Sequence, residues 1–304
     1  MGIKIKRHIR LIILFAALTI ISGTSAFAKT VGVMMTADIE YYQDIHKAFI
    51  NNFGKDAEIV LQKPMPDPMS WTNAARKLTG IGADVIVSYG APATLTLLKE
   101  TSDIPIIFGG VYDPESMSMT GKNATGISST VPIEKTLRAL GGTSKLSKLG
   151  IVFSKSEKDS IIEVRDIKKN EGSIGFTSVL FSVTDKVNKE ELKGVNALIV
   201  TTCSVGMGNI KDIVDAARKE KIPTAALTEG GENSGIVITV SADPEEQGTA
   251  ISEMVKKILG GAKPSEIPLR QAKKIKMIIN SKETKTLGLT VPAGILSSAT
   301  RVIE

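Results

Sequence analysis

Histidine and cysteine are nearly absent from this chain of 304 residues, which holds two histidines and one cysteine. One histidine lies close to the N-terminus, and the other, His46, lies within an amphipathic helical pattern rather than beside a catalytic serine. The sequence also lacks clustered histidine and cysteine at metal-site spacing, an H-E-x-x-H motif and a G-x-S-x-G motif. These absences predict a protein that is not an enzyme and that binds neither a metal nor a cofactor.

Cys203 is the only cysteine in the sequence, so an intramolecular disulfide cannot form. A free cysteine behaves as a small hydrophobic residue. We therefore expect Cys203 to be buried, with a reactive thiol as the alternative.

Residues 1–28 have the organisation of a signal peptide. A basic start is followed by an apolar run over residues 11–21 and by an A-x-A cleavage pattern at residues 26–28. The apolar run is too short to span a membrane, which takes about 20 residues. We expect cleavage after Ala28 and a periplasmic location rather than a membrane anchor.

The surplus of basic residues does not indicate a nucleic-acid partner. The chain carries 38 basic and 32 acidic residues, and four of the basic residues but none of the acidic ones lie within residues 1–28. Removal of that segment lowers the excess from six to two, too small for a strongly basic binding surface. The sequence predicts no nucleic-acid partner.

Short β-branched apolar runs alternate with longer amphipathic patterns along the rest of the chain. This alternation predicts parallel sheets with helices on both faces. The predicted strands cover residues 30–35, 57–62, 84–89, 105–110, 149–154, 176–183, 197–202, 223–228 and 235–241. The predicted helices lie near residues 38–53, 69–80, 92–100, 132–141, 157–170, 209–220 and 244–259. A break at residues 121–131 divides two series of similar length, which predicts an α/β protein of two doubly wound parallel-sheet lobes joined by a hinge.

Ligands of doubly wound sheets bind at the carboxyl ends of the strands, so the loops there are candidate sites. The segment after the third strand is the best candidate, because a helix opening with Pro92 directs its first N–H groups toward an anion. An ordinary helix start with proline in its first turn is the alternative. The candidate ligand-binding residues of this segment are Tyr89, Gly90, Ala91, Ala93 and Thr94.

Further candidates lie in the other strand-end loops. Trp71 could stack on a flat ligand or pack in the core, and Asp113 could serve the ligand or a turn before proline. The serines after the strand at 149–154 could also be helix caps. The remaining ligand-binding candidates are Thr36, Tyr41, Ser70, Trp71, Asp113, Ser154, Ser156, Ser160, Cys203, Ser204, Thr228 and Glu229.

Several motifs resemble the tryptophan/tyrosine-type family of ABC-transporter substrate-binding proteins, which have the type I periplasmic-binding fold. They are DIPIIF and VYDP at residues 103–114, NATGIS at 123–128, NSKET and LGLTVP at 280–292, and RVIE at 301–304. The resemblance implies an N-terminal lobe of residues 30–126 plus 243–263 and a C-terminal lobe of residues 127–242 plus 264–304. It also implies a monomer that captures a small-molecule ligand by hinge closure and delivers it to an ABC permease in the inner membrane. A periplasmic sensor that feeds a signalling protein is the alternative function.

The sequence departs from this family at one site position. Relatives carry an Asp-Asn pair after the strand that ends at Thr202, where this chain has Cys203 and Ser204. A buried ammonium group needs a carboxylate partner. The departure predicts weak binding of free aromatic amino acids and a neutral or anionic ligand, unless Glu229 or Asp113 supplies the acid.

Overall fold

The computed structural model describes residues 29–121 and 123–304, so the predicted signal peptide lies outside the described residues. Within them the strands form two sheets of six and seven strands. Hydrophobic clusters cover both faces of each sheet. The predicted α/β class, with two doubly wound lobes, is confirmed.

The first sheet is parallel throughout and has the strand order β11-β5-β4-β3-β1-β2. Its residues are largely apolar and β-branched, as expected of strands covered on both faces. Its strands are β1 (Thr30–Met35), β2 (Glu58–Gln62), β3 (Val85–Tyr89), β4 (Ile106–Val111), β5 (Ala124–Ser128) and β11 (Arg270–Gln271).

The second sheet has the order β13-β12-β10-β9-β8-β6-β7, and its only antiparallel pair within the described residues is β10 with β12. This pair departs from the predicted all-parallel arrangement. The strands are β6 (Lys148–Phe153), β7 (Thr177–Ser182), β8 (Ala197–Val200), β9 (Thr224–Ala226), β10 (Ile238–Ala242), β12 (Ile275–Asn280) and β13 (Arg301–Ile303).

Four helices pack on the first sheet. Proline and a capping aspartate begin two of them: Asp67 accepts from the N–H of Ser70, and Asp243 accepts from that of Glu245. The four helices are α1 (Glu40–Phe53), α2 (Pro68–Gly80), α3 (Ala91–Glu100) and α9 (Pro244–Leu259).

Seven helices accompany the second sheet in the described chain. They are α4 (Ile133–Thr143), α5 (Lys158–Lys168), α6 (Glu171–Ile174), α7 (Ser204–Gly208), α8 (Ile210–Glu220), α10 (Ser281–Leu287) and α11 (Ala293–Leu296). The described residues contain no helix of the length and apolarity that crossing a membrane requires.

Three neighbouring connections join the lobes. The chain passes between them after β5, between β10 and α9, and between β11 and β12. Gln247 ties two elements of this region together, since it accepts from the N–H of Gly110 at 3.0 Å and donates to the carbonyl of Ser128 at 2.8 Å.

The pairing of β5 and β11 in the first sheet changes two of the predicted lobe boundaries. Residues 127–128 complete β5, and β11 pairs in parallel with β5, so residues 264–271 lie with the first sheet rather than with the second. The first lobe therefore extends through Ser128 and through Gln271, because hydrogen bonds to β4 and β5 hold these segments there.

Candidate ligand-binding cleft

The two lobes meet along the edges at which their parallel strands end. Helix α3, which follows β3, contacts α5, which follows β6. Gly230, in the loop after β9, packs against Glu40 at the start of α1. The strand-end loops of both lobes therefore enclose one interface, the place where doubly wound sheets bind their ligands.

Three acidic side chains from the start of α5 are buried in this interface. Glu157, Asp159 and Glu163 are each at most 1% exposed. Asp159 and Glu163 are four residues apart and so lie on one helix face. Asp159 faces Tyr42 and the backbone N–H of Ala91 in the first lobe. These acids are not among the predicted site residues, although their helical spacing with the buried Ile167 indicated that they lie on a buried helix face.

Two of these acids hold the loop that follows β8. Glu157 accepts from the N–H of Ser204 at 2.8 Å and from its hydroxyl at 3.0 Å. Glu163 accepts from the N–H of Thr202 at 2.8 Å. The chain thus brings acids to the neighbourhood of Cys203 from another element, so the absence of an acid at that position does not leave the cleft without one.

The three acids have no cationic partner among the described residues. Burial, and then repulsion from Asp159, raises the pKa of Glu157 to about 8, and burial raises the pKa of Asp159 to about 6. Burial, followed by the charge of Asp159, raises the pKa of Glu163 well above its ordinary value. Arg165 pairs instead with Asp166 at 3.0 Å, and no lysine or arginine in residues 29–121 and 123–304 forms an ion pair with the three acids.

Two carboxylate oxygens in this group have no hydrogen-bond partner. They are Oδ2 of Asp159 and Oε1 of Glu163, and both side chains are 0% exposed. An unsatisfied polar group in a buried position is costly, and a partner that donates hydrogen bonds relieves that cost. The interface therefore presents acceptors that a ligand can satisfy.

The start of α3 is directed at acceptors of the chain itself. The N–H of Ala91 faces Asp159, the N–H of Ala93 donates to Oγ1 of Thr36 at 3.2 Å, and that of Thr94 donates to the carbonyl of Gly90 at 3.2 Å. A ligand carboxylate at this helix start, the expectation from sequence, would compete with these contacts.

Other first-lobe candidates line the same region. The carbonyl of Thr36 accepts from Nε1 of Trp71 at 2.7 Å, and the hydroxyl of Tyr41 donates to the carbonyl of Ala242 at 3.1 Å. Gly90 has φ of +89°, and a Cβ there would collide with Tyr42 and Thr36, so this close approach requires glycine.

Three first-lobe candidates, Tyr89, Ser70 and Asp113, contact other parts of the chain rather than the buried centre of the cleft. Tyr89 lies in the core, with its hydroxyl 3.1 Å from Nδ1 of His46. Ser70 donates to Asp67 at 2.6 Å and lines a separate surface pocket.

Asp113 accepts from the N–H of Ser116 at 3.1 Å and lies 3.8 Å from Arg165 across the lobes. It is engaged in a turn and an ion pair.

A groove marks the outer edge of the interface. It has a volume of 220 Å³, and its lining includes Trp71 and Pro92 from the first lobe and Ser156 and Lys158 from the second. Trp71 and Ser156 are thus brought together at the mouth of the cleft rather than at its buried centre.

The second-lobe candidates form a hydrogen-bonded wall. Ser160 donates to or accepts from Thr201 at 2.7 Å and accepts from the N–H of Ser154 at 3.0 Å. Cys203 is buried, as predicted, and burial raises the pKa of its thiol.

Thr228 and Glu229 follow β9, nearer to the connections between the lobes. Thr228 is buried, and Glu229 accepts from the hydroxyl of Ser241 at 3.0 Å and lies 3.6 Å from Lys276. Glu229 already has a cationic neighbour, so it is a weaker anchor for a ligand than the acids of α5. The described residues contain no group of three or more histidine, cysteine or acidic side chains arranged to hold a metal ion.

Two doubly wound lobes around a polar cleft define a two-lobed ligand-binding protein with the type I periplasmic-binding fold. The family described as ABC transporter substrate binding protein matches residues 16–303. The chain belongs to this family, and the resemblance inferred from the motifs is confirmed.

Individual relatives agree with this assignment. A curated "Tyrosine-binding protein" of Clostridioides difficile (strain R20291) is 26% identical over 282 residues, covering 86% of this chain and 81% of the relative. An ABC domain of Streptococcus pneumonia in complex with L-Trp has a TM-score of 0.85 at 22% identity, covering 91% of this chain and 100% of that one. A ligand-free, open substrate binding protein from Clostridium difficile has a TM-score of 0.65 at 22% identity, covering 90% and 99%.

Proposed function

We propose that this protein is the exported substrate-binding component of an ABC importer, which captures a small organic solute between its lobes. The observation that carries the proposal is the interface itself: strand-end loops of both lobes enclose buried polar groups, two of them unpartnered carboxylate oxygens. Membership of the family and the tyrosine- and tryptophan-binding relatives support a small ligand related to amino acids.

Closure of the lobes around the ligand is part of the proposal. The described conformation resembles the L-Trp complex, with a TM-score of 0.85, more than the ligand-free open relative, with 0.65. The contact of α3 with α5 supports the same interpretation, because that contact needs the lobes to be together. Three adjacent connections between the lobes suit a hinge.

Export and delivery complete the proposed role. The signal-peptide pattern supports passage to the periplasm with Lys29 as the first residue of the processed protein. N-terminal sequencing of periplasmic material should begin at Lys29, and an intact Met1 there would contradict the proposal. The proposed receiving partner is an ABC permease in the inner membrane.

The proposed function is tested by a thermal-shift screen of the processed protein against amino acids, amines and sugars. A ligand at 100 times its Kd stabilises the folded state by about 2.7 kcal/mol. For a protein of this size the Tm should rise by about 5–10 °C. If no small solute of any class stabilises the protein, the proposed function is wrong.

A matched pair of variants checks that binding occurs between the lobes. Ser156→Trp places an indole in the groove shared with Pro92 and should hold the lobes apart, weakening the binding of any hit by at least about tenfold. Ser173→Trp puts the same side chain on an exposed position of the same lobe and should leave the affinity unchanged. Equal affinities of the two variants would move the site out of the cleft.

A further inference from the structure

The buried centre of the cleft is rich in hydrogen-bond acceptors. Glu157, Asp159 and Glu163 are buried together, and Oδ2 of Asp159 and Oε1 of Glu163 lack partners. The facing side chains of the first lobe are the phenolic rings of Tyr41 and Tyr42, which add no positive charge.

Most backbone donors around this centre face acceptors of the chain itself. Three N–H groups of the second lobe donate to the chain's own acids: that of Thr202 to Glu163, that of Ser204 to Glu157, and that of Gly230 to Glu232 at 2.9 Å. In the first lobe the N–H groups that open α3 face Asp159, Thr36 and Gly90. A ligand carboxylate would have to displace one of these acceptors.

Carboxyl oxygens without partners, beside backbone donors that face acceptors of the chain itself, favour a cationic ligand over an anionic one, although the hydroxyls of Ser129 and Thr202 also lack partners. An ammonium group supplies three N–H donors and the missing positive charge. A carboxylate would bring a negative charge to a buried site that has no cation among the described residues, beside three acids whose ionisation burial already disfavours.

We propose that the cleft takes a small organic amine without a carboxylate, and that its ammonium group binds among Glu157, Asp159 and Glu163. This inference rests on the proposed function and narrows its ligand class. It keeps the expectation that free aromatic amino acids bind weakly, but it replaces the neutral or anionic ligand with a cation.

Binding of the amine has a consequence for protons. Burial raises the pKa values of Glu157, Asp159 and Glu163, and an ammonium group favours their ionised forms. Around them lie Tyr41, Tyr42 and Tyr112 from the first lobe and Cys203 from the second, all of which remain neutral near pH 7. Protons released on binding should therefore come from the carboxyl groups.

Calorimetric titration of matched ligands tests the proposal. The amines are tyramine, tryptamine and putrescine; the zwitterions are L-tyrosine and L-tryptophan; the acids are 3-(4-hydroxyphenyl)propionate and indole-3-propionate. At least one amine should bind, at least about tenfold more tightly than the zwitterions, and the acids should not bind. At pH 7, titrations in buffers of different ionisation enthalpy should reveal proton release.

Variants connect the result to the acids. Asp159→Asn keeps the size of the side chain but removes its charge, and should weaken amine binding by about ten- to a hundredfold. Glu190→Gln, an exposed acid of the same lobe, should leave it unchanged. If Asp159→Asn does not fold, judged by circular dichroism, Glu157→Gln serves in its place with the same expected loss.

The outcomes separate this inference from the proposed function. Tighter binding of a zwitterion, an acid or a sugar in the cleft overturns the amine proposal and leaves the receptor function intact. Failure of all three amines to bind, or an unchanged amine affinity in the charge-removing variant, also overturns it. Absence of binding by every class of solute overturns both.

Discussion

Asp159 illustrates how one residue can determine what a cleft accepts. Its carboxylate comes from the second lobe, faces the N–H of Ala91 in the first lobe, and retains an unpartnered oxygen. It therefore occupies the helix start that would otherwise suit an anionic ligand. The same carboxylate can receive a cation, so a single side chain disfavours one charge class and favours the other.

Cys203 provides a residue-scale prediction. It is 0% exposed, and the charges of Glu157 and Glu163 are among the causes that raise the pKa of its thiol. Cys203→Asp would add a fourth acid to an uncompensated group, so it should lower the free energy of unfolding by about 3 kcal/mol. Urea denaturation followed by circular dichroism measures this change.

Cys203→Ser is the control, since it introduces a polar atom of similar size without a charge. It should cost about 1 kcal/mol. Equal stability of the Asp and Ser variants would mean that the cleft tolerates a further acid without a ligand. That result would contradict the interpretation that the three acids lack a cationic partner.

The residue-scale predictions from sequence were limited by partners that lie far away in the chain. The departure from the family at Cys203 and Ser204 was visible, but the hydrogen bonds that Ser204 donates to Glu157 join residues 47 positions apart. Tyr89 ends a strand, as predicted, but its ring packs toward His46 rather than toward the cleft. Side-chain direction at a strand end is set by packing that the local sequence does not reveal.

Among helices and strands, those with strong periodic apolar patterns were predicted most reliably. The long amphipathic helices and the buried parallel strands were predicted within a few residues, because their apolar spacing is local. Strands β5, β11, β12 and β13 were missed. β5 contains Gly126, a weak strand former, and this glycine is required because a Cβ would collide with the backbone of Phe108.

The pairing of α1 with α9 gives an element-scale prediction. A Cβ on Gly248 would lie 2.5 Å from the carbonyl oxygen of Ile45 and from the backbone nitrogen of Phe49. Gly248→Ala should therefore push the two helices apart and cost about 1–3 kcal/mol of unfolding free energy. Thermal or urea denaturation measures the loss.

Gly172→Ala is the matched control, because nothing lies within 4 Å of a Cβ at that helical position. It should be neutral or stabilising by up to about 1 kcal/mol. A Gly248→Ala variant as stable as this control would show that the contact between α1 and α9 is looser than the structure indicates.

For the whole molecule, the proposed closure of the lobes links lobe position to pH. Burial, and then repulsion from Asp159, raises the pKa of Glu157 to about 8 from an ordinary value of 4.5, and we expect opening of the lobes to expose this carboxyl to water and lower its pKa. A carboxyl whose pKa is raised by closure takes up a proton on closing, so its protonated form favours the closed state at low pH. That contribution is lost as the pH rises from about 4.5 through about 8.

Small-angle X-ray scattering of the ligand-free protein measures this effect. The radius of gyration should be larger at pH 9 than at pH 5, because ionised acids favour exposure to water. Asp159→Asn together with Glu157→Gln should reduce the difference. A constant radius across this range would indicate that the acids do not control closure.

The identity of a naturally bound molecule would show which charge class the cleft accepts. Protein purified from the periplasm without denaturation should be analysed by native mass spectrometry, and the molecule released by denaturation should then be identified. We expect one small molecule per chain, carrying an amine and no carboxylate, and its loss from the Asp159→Asn variant. A stoichiometric carboxylic acid that Asp159→Asn retains, or a protein that carries and accepts no small molecule, would contradict it.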